Sequence, residues 1–193
     1  MPNYEVEMKF PHPNLAAFEE YLLKLQPQEI GPAILETDSY FDRPGVPARD
    51  DQGAMGELRG KDEWLRIRQW GTGSQVLTYK GPLVDEETKT RVEIQSPIES
   101  GRELLRYLGF MEILQVKKYR RRAHFVHDDL HVNVLLDDVW SLGSFVELEI
   151  PDVPAAQKDN AVEALKSVAE KLQLHDPENS GYAILLLEQM EQS

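Results

Sequence analysis

The chain has 193 residues, a formal net charge of −13 and no cysteine, and this length allows one domain with a substantial core. The lack of cysteine excludes a disulfide scaffold, a thiolate zinc site and a cysteine nucleophile, and is typical of a reducing compartment. The acidic balance disfavours non-specific binding to nucleic acid or anionic membrane, and no apolar run has the length of a membrane span. We therefore expect a single cytoplasmic domain over residues 1–193, with no nucleic-acid and no membrane partner.

The first part of the chain alternates strand and helix patterns. Residues 4–10 (YEVEMKF) alternate apolar and charged side chains, which predicts a strand. Residues 14–25 have apolar side chains at helical spacing behind Asn14 as an N-cap, and predict an amphipathic helix. Residues 33–42 (AILETDSYFD) predict another strand, and the Gly- and Pro-rich residues 43–62 predict a long mobile loop.

The remaining chain is predicted to be rich in strands. Two hairpins, one further strand between them and one after them, and three helices are expected. In chain order these are the first hairpin at 63–70 and 75–81, a strand at 90–96, a helix at 97–109, the second hairpin at 115–127 and 130–139, a strand at 144–150, and helices near 155–174 and 181–190.

Nearly every predicted strand is charged on one face and apolar on the other, because successive side chains alternate between faces. In the first strand, for example, Glu5, Glu7 and Lys9 share one face. Eight bases and six acids share these faces along the chain: Lys9, Arg66, Arg68, Lys80, Arg91, Lys118, Arg120 and Arg122, with Glu5, Glu7, Glu93, Asp137, Glu147 and Glu149.

Two architectures produce this pattern. An open antiparallel sheet would simply expose the charged face to water, whereas a closed barrel would enclose the charges and present its apolar face to the helices. The charged residues are mostly Arg, Lys, Glu and Asp, segregated by strand, and the amphipathic helices need an apolar sheet face to pack on. We therefore predict an α+β fold, a closed antiparallel barrel with a charged interior and helices packed outside.

Enclosed charges must be compensated, because an unpaired charge in a low-dielectric interior is costly. The acids and bases could pair with each other, but clusters of opposite sign also suit a polyanion that binds with a divalent cation. Carboxylates bind Mg²⁺ or Mn²⁺, and arginine and lysine neutralise phosphate. The pattern thus predicts a triphosphate site.

The motif Glu5-x-Glu7-x-Lys9 resembles the ExExK signature of the CYTH superfamily, the triphosphate tunnel metalloenzymes. Later segments follow the family's order along nearly the whole chain: DSYFD, EWLRIR, LTYKGP, RVEI, LGF, a basic strand, LLDDVWSLGSFVELEI and SGYAILLLE. Of these, LTYKGP and LDDVWSLGSFVELE are most similar to the class IV adenylate cyclase branch.

The resemblance implies a tunnel of about eight strands with triphosphate and metal inside. It implies Glu5, Glu7 and Lys9 as catalytic residues. The implied metal ligands, for Mg²⁺ or Mn²⁺, are Glu5, Glu7, Asp137, Glu147 and Glu149, and the implied phosphate ligands are Lys9, Arg66, Arg68, Lys80, Arg91, Lys118, Arg120 and Arg122. The basic strand departs from the family's Lys-x-Arg-x-x-Tyr pattern, since Arg replaces Lys and Phe replaces Tyr. Asp138 is expected to point outward.

The resemblance favours a class IV adenylate cyclase that converts ATP to cyclic AMP and pyrophosphate. An inorganic tripolyphosphatase or a thiamine triphosphatase would need the same phosphate clamp and is the alternative. A non-catalytic module that binds polyphosphate or nucleotide is a third hypothesis. The expected substrate is thus ATP, tripolyphosphate or thiamine triphosphate, and the protein is expected to be a monomer or a homodimer.

Overall fold

The computed structural model describes residues 3–43, 57–85, 88–127 and 129–192. These residues form nine strands and four α-helices. In chain order they are β1 (Asn3–Pro11), α1 (Leu15–Lys24), β2 (Glu29–Ile30), β3 (Ile34–Asp42), β4 (Trp64–Trp70), β5 (Gln75–Asp85), β6 (Thr90–Pro97), α2 (Gly101–Tyr107), β7 (Met111–His127), β8 (Leu130–Val139), β9 (Gly143–Pro154), α3 (Lys158–Lys171) and α4 (Tyr182–Glu191).

The strands close into an antiparallel barrel of eight, as predicted. The order around the barrel is β7, β3, β4, β5, β6, β1, β9 and β8, and β8 pairs again with β7. The 17-residue strand β7 makes this closure possible, because its first part pairs with β3 and its second part with β8. The short strand β2 extends the sheet beside β7 through Glu29 and Ile30.

The predicted side-chain alternation holds in the barrel, with the charged faces inside. The outward apolar faces of β1, β8 and β9 form the main core with α1 and α3. This core includes Val6, Met8, Phe10, Phe18, Leu22, Val134, Leu136, Leu148, Ile150, Leu165 and Val168. Helix α2 covers a smaller outward cluster, where Leu105 packs with Phe41 and Ile67. The predicted N-cap is confirmed, since the Asn14 side chain accepts a hydrogen bond of 3.0 Å from the backbone N–H of Ala17.

Helix α4 lies differently from the other helices, across one end of the barrel. The inward-facing side chains at that end are apolar, and they pack with Tyr182 and Ala183 of α4. Those inward residues are Leu114, Val116, Val139 and Phe145. The barrel interior is therefore apolar where α4 covers it and charged beyond.

Most differences from the predicted elements are at their ends. Strands β5, β7 and β9 are longer than predicted, α2 is shorter, and β2 was not predicted. Of the predicted loop at 43–62, residues 44–56 lie outside the described residues, and Arg59–Lys61 form a 3-10 turn. None of the helices in the described ranges has the length and apolar character needed to cross a membrane.

Candidate active site

The barrel encloses a cavity of about 380 Å³ whose lining is strongly charged. Nine basic and seven acidic side chains line it, a formal excess of two positive charges. The bases are the eight predicted phosphate ligands and Lys89, and the acids are Glu5, Glu7, Asp38, Asp62, Glu93, Glu147 and Glu149. The alternating strand pattern therefore brings all eight predicted bases and four of the five predicted metal-side acids to one cavity.

Asp137, the fifth predicted metal-side acid, is behind the cavity lining. It is completely buried, and its carboxylate accepts hydrogen bonds from Arg120 Nε at 2.6 Å and from the Tyr182 hydroxyl at 2.9 Å. Lys118 Nζ lies 3.7 Å away. The neighbouring Asp138 is exposed, as predicted. In this arrangement Asp137 orients Arg120.

Strand β3 supplies two acids that hold the arginines of β4. Asp38 makes a bidentate pair with Arg68, at 2.6 Å and 2.7 Å, and lies 3.5 Å from Arg66. Burial raises the pKa of Asp38, but Arg68 and Arg66 outweigh it and hold that pKa well below its ordinary value. Glu36 lies 3.2 Å from Arg68, and despite burial the nearby cations lower its pKa to about 2.

Lys80 of β5 joins three carboxylates of the neighbouring strands β1 and β6. Its ammonium lies 2.6 Å from Glu5, 2.7 Å from Glu93 and 3.7 Å from Glu7. Burial raises the pKa of Glu5 well above its ordinary value, and the charges of Glu93 and Glu7 add to this shift while Lys80 opposes it. A carboxyl group with a raised pKa is suited to accept a proton near neutral pH.

Glu7 and Glu149 are paired directly across β1 and β9, an arrangement of like charges that destabilises a sheet. Glu149 accepts a hydrogen bond from Asn133 at 2.8 Å, and no cationic group of the described residues lies within 4 Å of it. Burial and the charge of Glu147 raise the pKa of Glu149, against the opposing effect of Arg120. The cations nearest to the Glu7 carboxylate in the described residues are the ammonium groups of Lys80 and Lys89, each at 3.7 Å.

This pair fits a hard divalent cation, which carboxylate oxygens bind and whose charge would remove the repulsion. Among the residues that the structure describes, no three His, Asp or Glu side chains converge as a ready metal site. One or two carboxylates together with substrate phosphates is the usual way in which Mg²⁺ is held. The donor set therefore fits a metal that binds together with its substrate.

Lys9 and Lys118 lie where the charged cavity meets the apolar end. Both are buried, with exposed fractions of 1% and 2%. Lys9 donates a hydrogen bond to the carbonyl oxygen of Ser180, and none of the acids in the described ranges lies within 4 Å of its ammonium. Burial and the charge of Lys89 lower the pKa of Lys9 to about 7. Burial and Arg120 also lower the pKa of Lys118.

Four charged cavity or wall residues were missed from the sequence: Glu36, Asp38, Asp62 and Lys89. Glu36 and Asp38 alternate along β3, so the face rule used for the other strands would have identified them. Lys89 is in the turn before β6, with a backbone φ of 44°, and its ammonium lies 3.7 Å from Glu7. No strand alternation applies to a turn, and such a positive φ is costly for a side chain of this kind.

Comparison with known proteins agrees with this architecture. The CYTH domain matches residues 3–180. The MJ0240 protein of Methanocaldococcus jannaschii is 34% identical over 121 residues, 61% of this chain and 66% of that relative, so the chain spans just under two thirds of it. CyaB of Aeromonas hydrophila is 29% identical over 171 residues, 89% of this chain and 81% of that relative. Both relatives have adenylate cyclase in their names.

Solved structures share the fold. The PH1819 protein of Pyrococcus horikoshii is 34% identical with a TM-score of 0.77, over 96% of this chain and 99% of that one. The HpAC1 protein of Hippeastrum, described as having a dominant triphosphatase activity, is 16% identical with a TM-score of 0.57, over 93% of this chain and 91% of that one. The second likeness concerns the fold alone. The eight-stranded barrel, its charged interior and the match over residues 3–180 show that the chain belongs to the CYTH domain family.

Proposed function

We propose that the protein is a metal-dependent enzyme that acts on a triphosphate, with conversion of ATP to cyclic AMP and pyrophosphate as its reaction. The observation that carries this proposal is the cavity whose lining combines nine bases with the Glu7–Glu149 pair. Relatives with adenylate cyclase in their names support the choice of reaction.

Five of the nine cavity cations are available to an anion. Among the described residues, none of these five has a carboxylate oxygen closer than 3.7 Å. They are Lys9, Lys89, Arg91, Lys118 and Arg122. Arg68 and Arg120, in contrast, are held by bidentate carboxylates. We propose that the first group binds the phosphates and that the second group mainly shapes the cavity, which refines the ligand set expected from the sequence.

Glu7 and Glu149 would hold the metal ion, with Glu147 beside them. A bound Mg²⁺ or Mn²⁺ would polarise a phosphoryl oxygen and offset phosphate charge. In the cyclase reaction the ribose 3′-oxygen bonds to the α-phosphorus while the bond to pyrophosphate breaks. Glu5 would accept the hydroxyl proton, and Lys9 would bind the phosphoryl oxygens.

Hydrolysis of tripolyphosphate or thiamine triphosphate is the second candidate. The available cations would contact phosphates in either reaction. The Hippeastrum protein, which shares the fold, is described as having a dominant triphosphatase activity. A barrel of this fold can therefore belong to a hydrolase. In that case Glu5 would accept a proton from the attacking water.

The deciding experiment is incubation of the protein with ATP, tripolyphosphate and thiamine triphosphate, each with Mg²⁺ or Mn²⁺, followed by product identification. We expect cyclic AMP and pyrophosphate from ATP. Orthophosphate without cyclic AMP would support the second candidate. Tight binding without turnover of any substrate would contradict both and leave a binding module.

The metal assignment predicts a specific effect of Glu149→Gln. Turnover should fall about 100-fold, as when one charge-stabilising group is lost. Thermal stabilisation by Mn²⁺ with tripolyphosphate should weaken. Without ligand, the free energy of unfolding should rise by up to about 1 kcal/mol, because one of two opposed carboxylates is neutralised. Calorimetry and turnover measure these effects.

Asp138→Asn is the matched control, since this exposed carboxylate of β8 points away from the cavity. It should leave turnover, metal response and melting temperature near wild type. Wild-type turnover and metal response in Glu149→Gln would show that Glu149 does not hold the metal.

A further inference from the structure

Tyr182 is the first residue of α4 and is buried at the covered end of the barrel. Its hydroxyl donates to Asp137, and its ring lies 5.1 Å from the ring of Phe145 at a steep angle of 66°. Asp137 is itself held by Arg120. The ring of Tyr182 is thus held by the hydrogen bond of its hydroxyl to Asp137 and by its contact with the ring of Phe145.

Two cavity lysines lie over this one ring. The ammonium of Lys9 is 4.2 Å from the ring centroid of Tyr182, and that of Lys118 is 5.0 Å from it. An aromatic face attracts a cation because its electrostatic potential is negative, and the attraction grows when water is excluded. Both lysines are buried, so the ring is a major neighbour of each charge.

For Lys9, the ring takes the place that a carboxylate would otherwise occupy, since no acid in the described ranges lies within 4 Å of its ammonium. Lys118 has carboxylate oxygens of Glu36, Asp38 and Asp137 at 3.7, 3.8 and 3.7 Å, which is beyond hydrogen-bond contact. A carboxylate in contact would cancel the positive charge and repel phosphate. A neutral ring stabilises the ammonium groups and leaves their charge for an incoming anion.

The chain segment before α4 holds Lys9 in the same place. The backbone N–H of Glu178 donates to the carbonyl oxygen of Lys9 at 2.7 Å, and the Lys9 ammonium donates to the carbonyl oxygen of Ser180. The backbone of Ser180 in turn donates to the Glu178 carboxylate at 2.6 Å. Tyr182 is therefore tied to Lys9 through both its ring and its own chain segment.

We infer that Tyr182 is a positioning residue, whose ring seats the ammonium groups of Lys9 and Lys118 at the inner end of the cavity so that they bind phosphate. This inference rests on the proposed function, because it gives the lysines a phosphate ligand. It assigns a role to a residue of α4, a helix that the sequence predicted near 181–190 but to which it assigned no site residue.

The test compares Tyr182→Phe, which keeps the ring and loses the hydroxyl, with Tyr182→Leu, which loses the ring. The readout is the dissociation constant for tripolyphosphate, measured by calorimetry at low salt. The Phe variant should bind within about twofold of wild type, and the Leu variant about tenfold more weakly, the size of a buried cation–π contact. The loss should appear in KM more than in kcat.

A second comparison distinguishes an effect of the Tyr182 ring on the lysine positions from a general loss of packing around the ring. The change from Phe to Leu at position 182 is repeated in the Lys9→Met background, where it should cost only about threefold or less, because one of the two seated charges is gone. Trifluorophenylalanine at position 182 keeps the ring shape but weakens its negative face, so it should bind more weakly than Phe. This variant decides the question if Tyr182→Leu does not fold.

Equal affinities of the Phe, Leu and trifluorophenylalanine variants would overturn the inference. So would a loss that is undiminished in the Lys9→Met background, since packing alone would then explain it. If wild type itself does not bind tripolyphosphate, the proposed function fails first and the role of Tyr182 falls with it.

Discussion

Lys80 and Lys9 are held in the cavity in opposite ways. Burial tends to lower the pKa of Lys80, but Glu5 and Glu93 outweigh it and raise that pKa well above its ordinary value. Lys9 has an aromatic ring and a backbone carbonyl in place of acids, and burial together with the charge of Lys89 lowers its pKa to about 7. Lys80 therefore keeps its proton at any ordinary pH, whereas Lys9 titrates near neutrality.

This difference predicts a pH dependence of anion binding. Only protonated Lys9 attracts phosphate, so affinity should fall as the pH rises through about 7, where an ordinary lysine would still be charged. Tripolyphosphate dissociation constants measured at about pH 6.5 and pH 8.5 check this expectation. Lys9→Met is the control, because it removes the titrating group while the ligand's own titration remains. The same pH dependence in both proteins would contradict the prediction.

At the scale of the element, strand β7 places adjacent arginines in different environments. Arg122 points into the cavity and has no acid within 4 Å among the residues described. Arg121 points outward and pairs with Glu19 of α1. The two residues have the same chemistry and consecutive positions, and the barrel wall separates them.

Arg121 and Arg122 give a matched test of the enclosed site. At a tripolyphosphate concentration about a hundredfold above its dissociation constant, ligand binding should stabilise wild type by about 2.7 kcal/mol, which raises the melting temperature by about 5 to 10 °C. Arg122→Ala should bind about tenfold more weakly and lose about half of this stabilisation at the same concentration. Scanning calorimetry measures the shift.

Arg121→Ala should lower the melting temperature slightly without ligand, because a surface ion pair contributes about 0 to 1 kcal/mol. Its shift with tripolyphosphate should match that of wild type. Equal losses of the ligand-induced shift in the two variants would show that the barrel wall does not separate a binding face from a solvated one.

For the whole molecule, the alternation of charged and apolar side chains predicted the barrel, because every main strand shows it. The outward strand faces are apolar enough for helices α1, α2 and α3 to pack on them. The two-residue strand β2 is too short to show a period. The position of α4 across the barrel end depends on long-range packing with residues such as Phe145, which no local pattern contains.

The candidate site was predictable to the same extent and for the same reason. The alternation of side chains between strand faces located the eight bases. It could not show that the Asp137 carboxylate is already paired with Arg120, because that pairing depends on side-chain geometry between strands. Lys89 entered the cavity from a turn. Sequence pattern thus indicates which residues face the interior, and only the three-dimensional structure shows which of them remain available to a ligand.

The whole-chain charge and the cavity charge have opposite signs. The protein has a net charge of −13, while the cavity lining has an excess of two positive charges. Counting the buried Glu36 and Asp137 behind the lining brings the enclosed acids and bases into balance. The fold can thus enclose these charges without a ligand, and the exterior is strongly acidic.

The place of β1 in the barrel has a consequence for how the chain folds during synthesis. It pairs with β6 only at Tyr4 and Glu5, but with β9 along nearly its whole length, from Asn3 opposite Pro154 to Pro11 opposite Phe145. The ribosome adds about 5 to 20 residues per second, so β1 waits roughly 7 to 30 seconds for its main partner. During that interval the strand is an unpaired apolar edge, a hazard for aggregation. Glu7 meets Glu149 in this last pairing, so under the proposed function a nascent chain would bind its metal and triphosphate only after β9 is in place.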